Sequence, residues 1–198
     1  MRVLTYLCML AFASFFLTLS SLPLYSILVG TSTGAAGLVT TVMLVATVAT
    51  QTLVPAGVNR FGLFAVLAAG LVLLGAPAPL YLLDGQFWWV LLVSGVRGFG
   101  FGVITVLLPL VASRLVPSRR RGEAIGIYGL AIAIPNLLCV PVGVALTSSG
   151  GFRWVAIASA APLLAMPLLG PIRQIVRAHC KTPVTPIHHI PASSSTKH

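Results

Sequence analysis

The chain has 198 residues, 58 % of them hydrophobic and only 7 % charged, with a mean hydropathy of +1.04. Soluble domains carry about 25 % charged residues, and a water-soluble fold this apolar could not cover its surface with polar groups; the composition excludes a soluble enzyme or binding domain and makes the bilayer the solvent. The net charge of +10 does not point to nucleic acid, because Asp84 and Glu123 are the only acids and the bases flank apolar spans instead of forming a basic face.

Crossing about 30 Å of hydrocarbon takes roughly 20 apolar residues. The pattern predicts an all-α membrane protein with six such spans, over residues 3–29, 36–58, 63–83, 88–110, 124–146 and 154–172, packed as one bundle within residues 1–178. The first span is too long for a signal-peptide core and reads as a retained helix, with Arg2 before it and Pro23 and Tyr25 near its far end. Pro23 reads as a bend whose freed carbonyl is satisfied by neighbours. The second span carries several threonines and one amide, Gln51, a group that faces other helices or a wet cavity and not lipid. Interhelical hydrogen bonding and substrate contact are equally open readings for it.

A tight link, Asn59-Arg60-Phe61-Gly62, leads into the third span, which has Pro77 and Pro79 towards its end. Asp84 sits in the following loop, and Trp88 and Trp89 suit the membrane interface. The fourth span holds Arg97 with closely spaced glycines. Gly98 and Gly102 form a small-xxx-small pair for close helix approach, while Arg97, Gly100, Phe101, Ile104 and Leu108 share another face. A central arginine costs about 2.5–3.5 kcal/mol to insert. Arg97 is therefore expected to face the bundle interior or a water-filled cavity. The fifth span contains Tyr128, Pro135, Asn136, Pro141 and Gly143 and is expected to be irregular. Residues 179–198, rich in Pro, Ser and His, lack apolar periodicity and are expected to be a disordered cytoplasmic tail.

With the N-terminus inside, Arg60, Arg114, Arg119, Arg120, Arg121, Arg173, Arg177 and Lys181 all fall on the cytoplasmic side, and Arg153 falls opposite. The positive-inside rule then sets both termini in the cytoplasm of a multi-pass cell-membrane protein. All four histidines lie in the tail, and neither acid is mid-span. No Ser/His pair, paired-carboxylate site or P-loop lysine motif is available, so no enzyme is expected. Cys8, Cys139 and Cys180 lack metal-ligand spacing, and no metal or cofactor is expected.

These motifs resemble the N-terminal half of a major facilitator superfamily transporter. Arg97 followed by glycines is similar to the family's fourth-helix signature. Leu115 to Ala124, including Arg120, Arg121, Gly122 and Glu123, then Gly126-Ile127-Tyr128-Gly129, resembles its cytoplasmic loop into helix five. Pro135 and Pro141-Val142-Gly143 resemble its fifth-helix Pro/Gly motif, and Phe152-Arg153-Trp154 the opening of helix six. The family's gating loop reads Gly-x-x-x-Asp-Arg-x-Gly-Arg-Arg/Lys; the positions here are Pro55, Asn59, Arg60, Gly62, Leu63 and Phe64. The aspartate that takes part in the family's gate-closing charge relay is thus Asn59.

The resemblance implies secondary-active transport of a small, unidentified solute, efflux included. Arg97 would be the substrate-orienting or coupling charge, and Gln51, Tyr25, Tyr128 and Asn136 the cavity polar groups. Because family members have two six-helix halves, it also implies a partner: a homodimer or a second half-transporter. The alternative expectation is a membrane interaction protein without transport, or an inactive truncated relic.

Overall fold

The computed structural model describes residues 2–28, 30–83, 86–114, 119 and 121–170. Asp84, Arg120 and the tail at 179–198 lie outside them. The described residues form helices α1 (Arg2–Leu28), α2 (Thr33–Phe61), α3 (Leu63–Gly75), α4 (Phe87–Arg114), α5 (Arg121–Ser148) and α6 (Phe152–Ala158). Two 3-10 segments, η1 (Ala78–Leu82) and η2 (Ala161–Leu168), continue α3 and α6. Five stretches are long and apolar enough to cross a membrane: Val3–Leu28, Thr33–Phe61, Leu63–Leu82, Phe87–Ser113 and Gly122–Ser148. The sixth, Phe152–Pro167, is shorter.

The links are short, so successive helices alternate in direction. Gly62 alone joins α2 to α3, at φ +85°, a conformation that glycine adopts without a Cβ penalty. Ser32 caps α2 by accepting from the Ala35 N–H at 3.3 Å. Trp89 Nε1 donates to the Leu80 carbonyl at 2.8 Å and ties the start of α4 to η1.

Glycines set the packing. A Cβ on Gly98 would run into the Met43 carbonyl of α2, and one on Gly102 would lie 2.5 Å from the Thr47 carbonyl. One on Gly100 would meet the backbone of α3 at Leu74 and Gly70. Helix α4 thus lies between α2 and α3, touching each at backbone distance through alternate glycines. Gly143 plays the same part between α5 and α1, where a Cβ would lie 2.8 Å from the Leu17 carbonyl. The matched order of these contacts makes α2 run parallel to α4, and Phe12 against Tyr128 with Leu17 against Gly143 makes α1 parallel to α5. Without a hydrophobic drive between helices in lipid, such close approach supplies the packing energy.

The breaks fall where prolines cluster, but not in α5. Helix α5 is continuous through Pro135 and Pro141, against the irregular helix expected there. Each of these prolines removes one ladder bond, a loss that a spanning helix tolerates when neighbours and small local adjustments re-satisfy the carbonyl. The third and sixth stretches are interrupted instead. Pro77 and Pro79 remove two donors two residues apart, and the chain tightens so that Leu80 N–H bonds to the Pro77 carbonyl. In the sixth, Pro162 has no N–H, and Leu163 N–H turns to the Ala160 carbonyl. The two breaks pack together: a Cβ on Gly75 would lie 2.9 Å from Leu163 Cγ.

The packing yields a paired prediction for thermal unfolding in detergent. Gly100→Ala is expected to lower stability by about 1–3 kcal/mol through overpacking against backbone. Gly37→Ala, at a position with nothing within 4 Å of the new Cβ, is expected to leave stability unchanged or raise it by up to about 1 kcal/mol. Equal effects would contradict the assigned contacts.

Candidate functional site

Arg97 is the largest fully buried side chain among the described residues, at 0 % exposure. It lies about 15 Å into α4 at about 1.5 Å rise per residue. Its guanidinium points into the bundle between α1, α6 and η1, the interior placement expected of a mid-span charge. Nη2 donates to Thr18 Oγ1 at 2.9 Å, Ser14 Oγ at 3.1 Å and the Ser14 carbonyl at 3.3 Å. The guanidinium carbon also stands 5.9 Å from the centroid of the Tyr81 ring, within cation–π range.

A second ring of hydrogen bonds holds these acceptors. Ser14 Oγ donates to the Ser159 carbonyl, and Thr18 Oγ1 and Ser159 Oγ share a bond of 2.7 Å. The Ser159 carbonyl is available because Pro162, three residues on, has no N–H and Leu163 bonds elsewhere. The break in α6 therefore presents a backbone acceptor to α1. On the other side, Tyr81 Oη and Ser94 Oγ are 3.0 Å apart, and Ser94 Oγ donates to the Val90 carbonyl.

Every hydrogen-bond acceptor of Arg97 is neutral. Glu123, the one acid among the described residues, is exposed at the start of α5. Arg97 Nε and Nη1 have no hydrogen-bond partner among the described residues. A buried cation with unspent donors is costly, so the site holds free energy available to an anionic or strongly accepting group.

The other expected cavity residues are not gathered around Arg97. Gln51 Nε2 donates to Thr105 Oγ1 at 3.1 Å and bridges α2 to α4. Tyr25 stacks on Phe152, with ring centroids 3.8 Å apart. Tyr128 meets Phe12 edge-on at 6.3 Å. Asn136 is exposed on α5. In the gating loop, Asn59 and Arg60 are exposed at the end of α2, and the Arg60 guanidinium carbon lies 5.3 Å from the Phe61 ring centroid. Gly122 and Glu123 are exposed in the first turn of α5, which Arg121 opens.

Sequence reasoning missed Ser14, Thr18, Tyr81, Ser94 and Ser159. A signal existed for part of this set: Ser14, Thr18 and Ser21 recur at helical spacing on one face of α1, and all three are buried.

An all-α bundle of membrane-length helices, organised around a buried arginine on the fourth, defines a multi-pass membrane protein. The Major Facilitator Superfamily pattern matches residues 4–195, and the chain belongs to that family. It is similar to the Synaptic vesicle 2-related protein of Rattus norvegicus, 34 % identical over 97 residues, covering 49 % of this chain and 16 % of that protein. It is also similar to the MFS-type transporter ucsD of Acremonium sp, 37 % identical over 67 residues, covering 33 % of this chain and 11 % of the relative. The MFS-type efflux transporter ffsH of Aspergillus flavipes is 40 % identical over 60 residues, covering 30 % of this chain and 11 % of the relative. The similarity therefore spans only a minor part of the length of these relatives.

The cluster predicts opposite outcomes for two substitutions, read by thermal unfolding in detergent. Arg97→Met removes the unpaired charge while Ser14, Thr18 and Ser159 keep one another as partners; stability is expected to hold or rise by up to about 4 kcal/mol. Ser14→Ala strips acceptors from a buried cation and is expected to cost about 1–3 kcal/mol. A large loss in Arg97→Met would contradict the assignment.

Proposed function

We propose that the chain is one six-helix half of a secondary-active transporter for a small solute, efflux included, working by rocking against a second bundle. The observation that carries this reading is the wholly buried Arg97 with two nitrogens unspent and only neutral acceptors. A charge kept at such cost in a membrane marks a functional site by default. Arg97 is the coupling or substrate-orienting charge. Gln51, Tyr25, Tyr128 and Asn136 supply polar groups to the cavity once the bundles rearrange. No Asp, Glu or His lies mid-span, Glu123 standing at the first turn of α5, so in any proton coupling the carboxylate comes from the partner bundle.

The second bundle packs on the open faces of α2 and α5. On α5, Gly122, Gly126, Gly129, Ala133 and Asn136 are all exposed at alternating spacings of four and three, a small-residue stripe suited to close helix contact in lipid. The cytoplasmic side carries both termini by the arginine bias, in the cell membrane. Asn59, exposed where the family carries an acid, weakens the latch of that gate.

One observation favours a second reading, a membrane interaction protein that moves nothing: neutral, exposed Asn59 stands where the family's gate-closing aspartate would be. Transport measurement separates the two. In cells expressing the chain, accumulation of at least one solute from a chemically diverse panel is expected to change. Collapse of the ion gradients should abolish the change, and so should Arg97→Met at equal membrane abundance. Asn59→Asp is expected to alter the rate of that movement. A panel unmoved by the chain, alone or with a cross-linked partner, supports the interaction reading and contradicts transport.

A further inference from the structure

At the end of the bundle bearing Arg60, a groove of about 580 Å³ opens between the α2–α3 link and the end of η2. Phe61, Gly62, Leu63, Phe64, Ala68 and Leu169 are among the residues that line it. The volume falls in the range of small-molecule sites, about 300–1,000 Å³, and far exceeds a single water's share of about 30 Å³. Phe61 is 66 % exposed, so the apolar wall is unfinished on its outer side.

We propose that this groove holds one anionic phospholipid, with an acyl chain along the apolar wall and the phosphate on Arg60. The position suits both parts of such a molecule. Arg60 is the penultimate residue of α2, at the level where a membrane-length helix reaches the headgroups. Its guanidinium is exposed and stands over Phe61, a wall residue, so cation and apolar channel adjoin. Charge complementarity selects the headgroup. The preceding residue is the neutral Asn59, no acid lines the groove, and no ion pair engages Arg60 among the described residues. Basic pockets between membrane helices bind anionic headgroups by this combination. The inference needs only a membrane-embedded bundle and is independent of whether the chain transports.

The test is native mass spectrometry of the full chain, released from mixed micelles of phosphatidylglycerol and phosphatidylcholine. The wild type is expected to retain phosphatidylglycerol about tenfold over phosphatidylcholine. Arg60→Gln should erase that preference, and Arg119→Gln should keep it. Ala68→Trp, which fills the groove, should release the lipid with Arg60 still present. Because a filled groove can also impair folding, a benzoylphenylalanine at Leu169 gives an independent reading: irradiation should add the mass of one lipid. Retention unchanged in Arg60→Gln, equal retention of the two lipids, or full displacement by inorganic phosphate would overturn the proposal. So would cross-linking of position 169 to another protein or to this chain's own residues 171–198.

Discussion

The interior is arranged around a single unneutralised charge, whose burial costs stability. Arg97 is held in the interior of an apolar bundle by hydroxyls and one backbone carbonyl, all contributed by α1. Those groups are oriented in turn by Ser159 at the break of α6. A buried ion that loses one partner leaves a larger deficit than the bond itself, so the positions of α1, α4 and α6 are coupled through one guanidinium. The break at Pro162 serves the same arrangement: a regular helix would hold the Ser159 carbonyl in its own ladder and deny it to Ser14.

The glycines serve this placement. Arg97 stands directly before Gly98, and the contacts of Gly98 and Gly102 with α2 and of Gly100 with α3 fix the rotation of α4 about its axis. That rotation aims the guanidinium at α1. Thr47 adds a direct link, donating to the Gly98 carbonyl at 3.1 Å from α2. Packing and site are thus parts of one arrangement, in which small residues set the geometry and the charge uses it.

Much of this was legible in the sequence. Apolar run length pointed to the five described stretches long enough to cross a membrane, where only helices and closed barrels satisfy the backbone. Arg97 stood out for its cost, and the four-residue spacing of Gly98 and Gly102 foretold a close helix contact. Two features were not legible, for different reasons. The partners of Arg97 are small hydroxyls, common in membrane helices and uninformative until the helices are placed in space. The breaks in the third and sixth stretches depend on which prolines the surrounding helices accommodate; Pro135 and Pro141 sit within a continuous α5, whereas Pro77 and Pro162 do not sit within continuous helix. The cavity polar groups also proved dispersed, because Gln51, Tyr25 and Tyr128 each find a nearer partner in the bundle.

The most direct test of the central claim is a double-mutant cycle between α1 and α4, with Ser14→Ala and Arg97→Met made singly and together and unfolding measured in one detergent. If Ser14 exists to hold the guanidinium, its loss matters more when the charge is present, and the cycle should return a coupling of at least about 1 kcal/mol. Effects that add to within about 0.3–0.5 kcal/mol would mean that the two side chains do not sense each other, and would contradict the account.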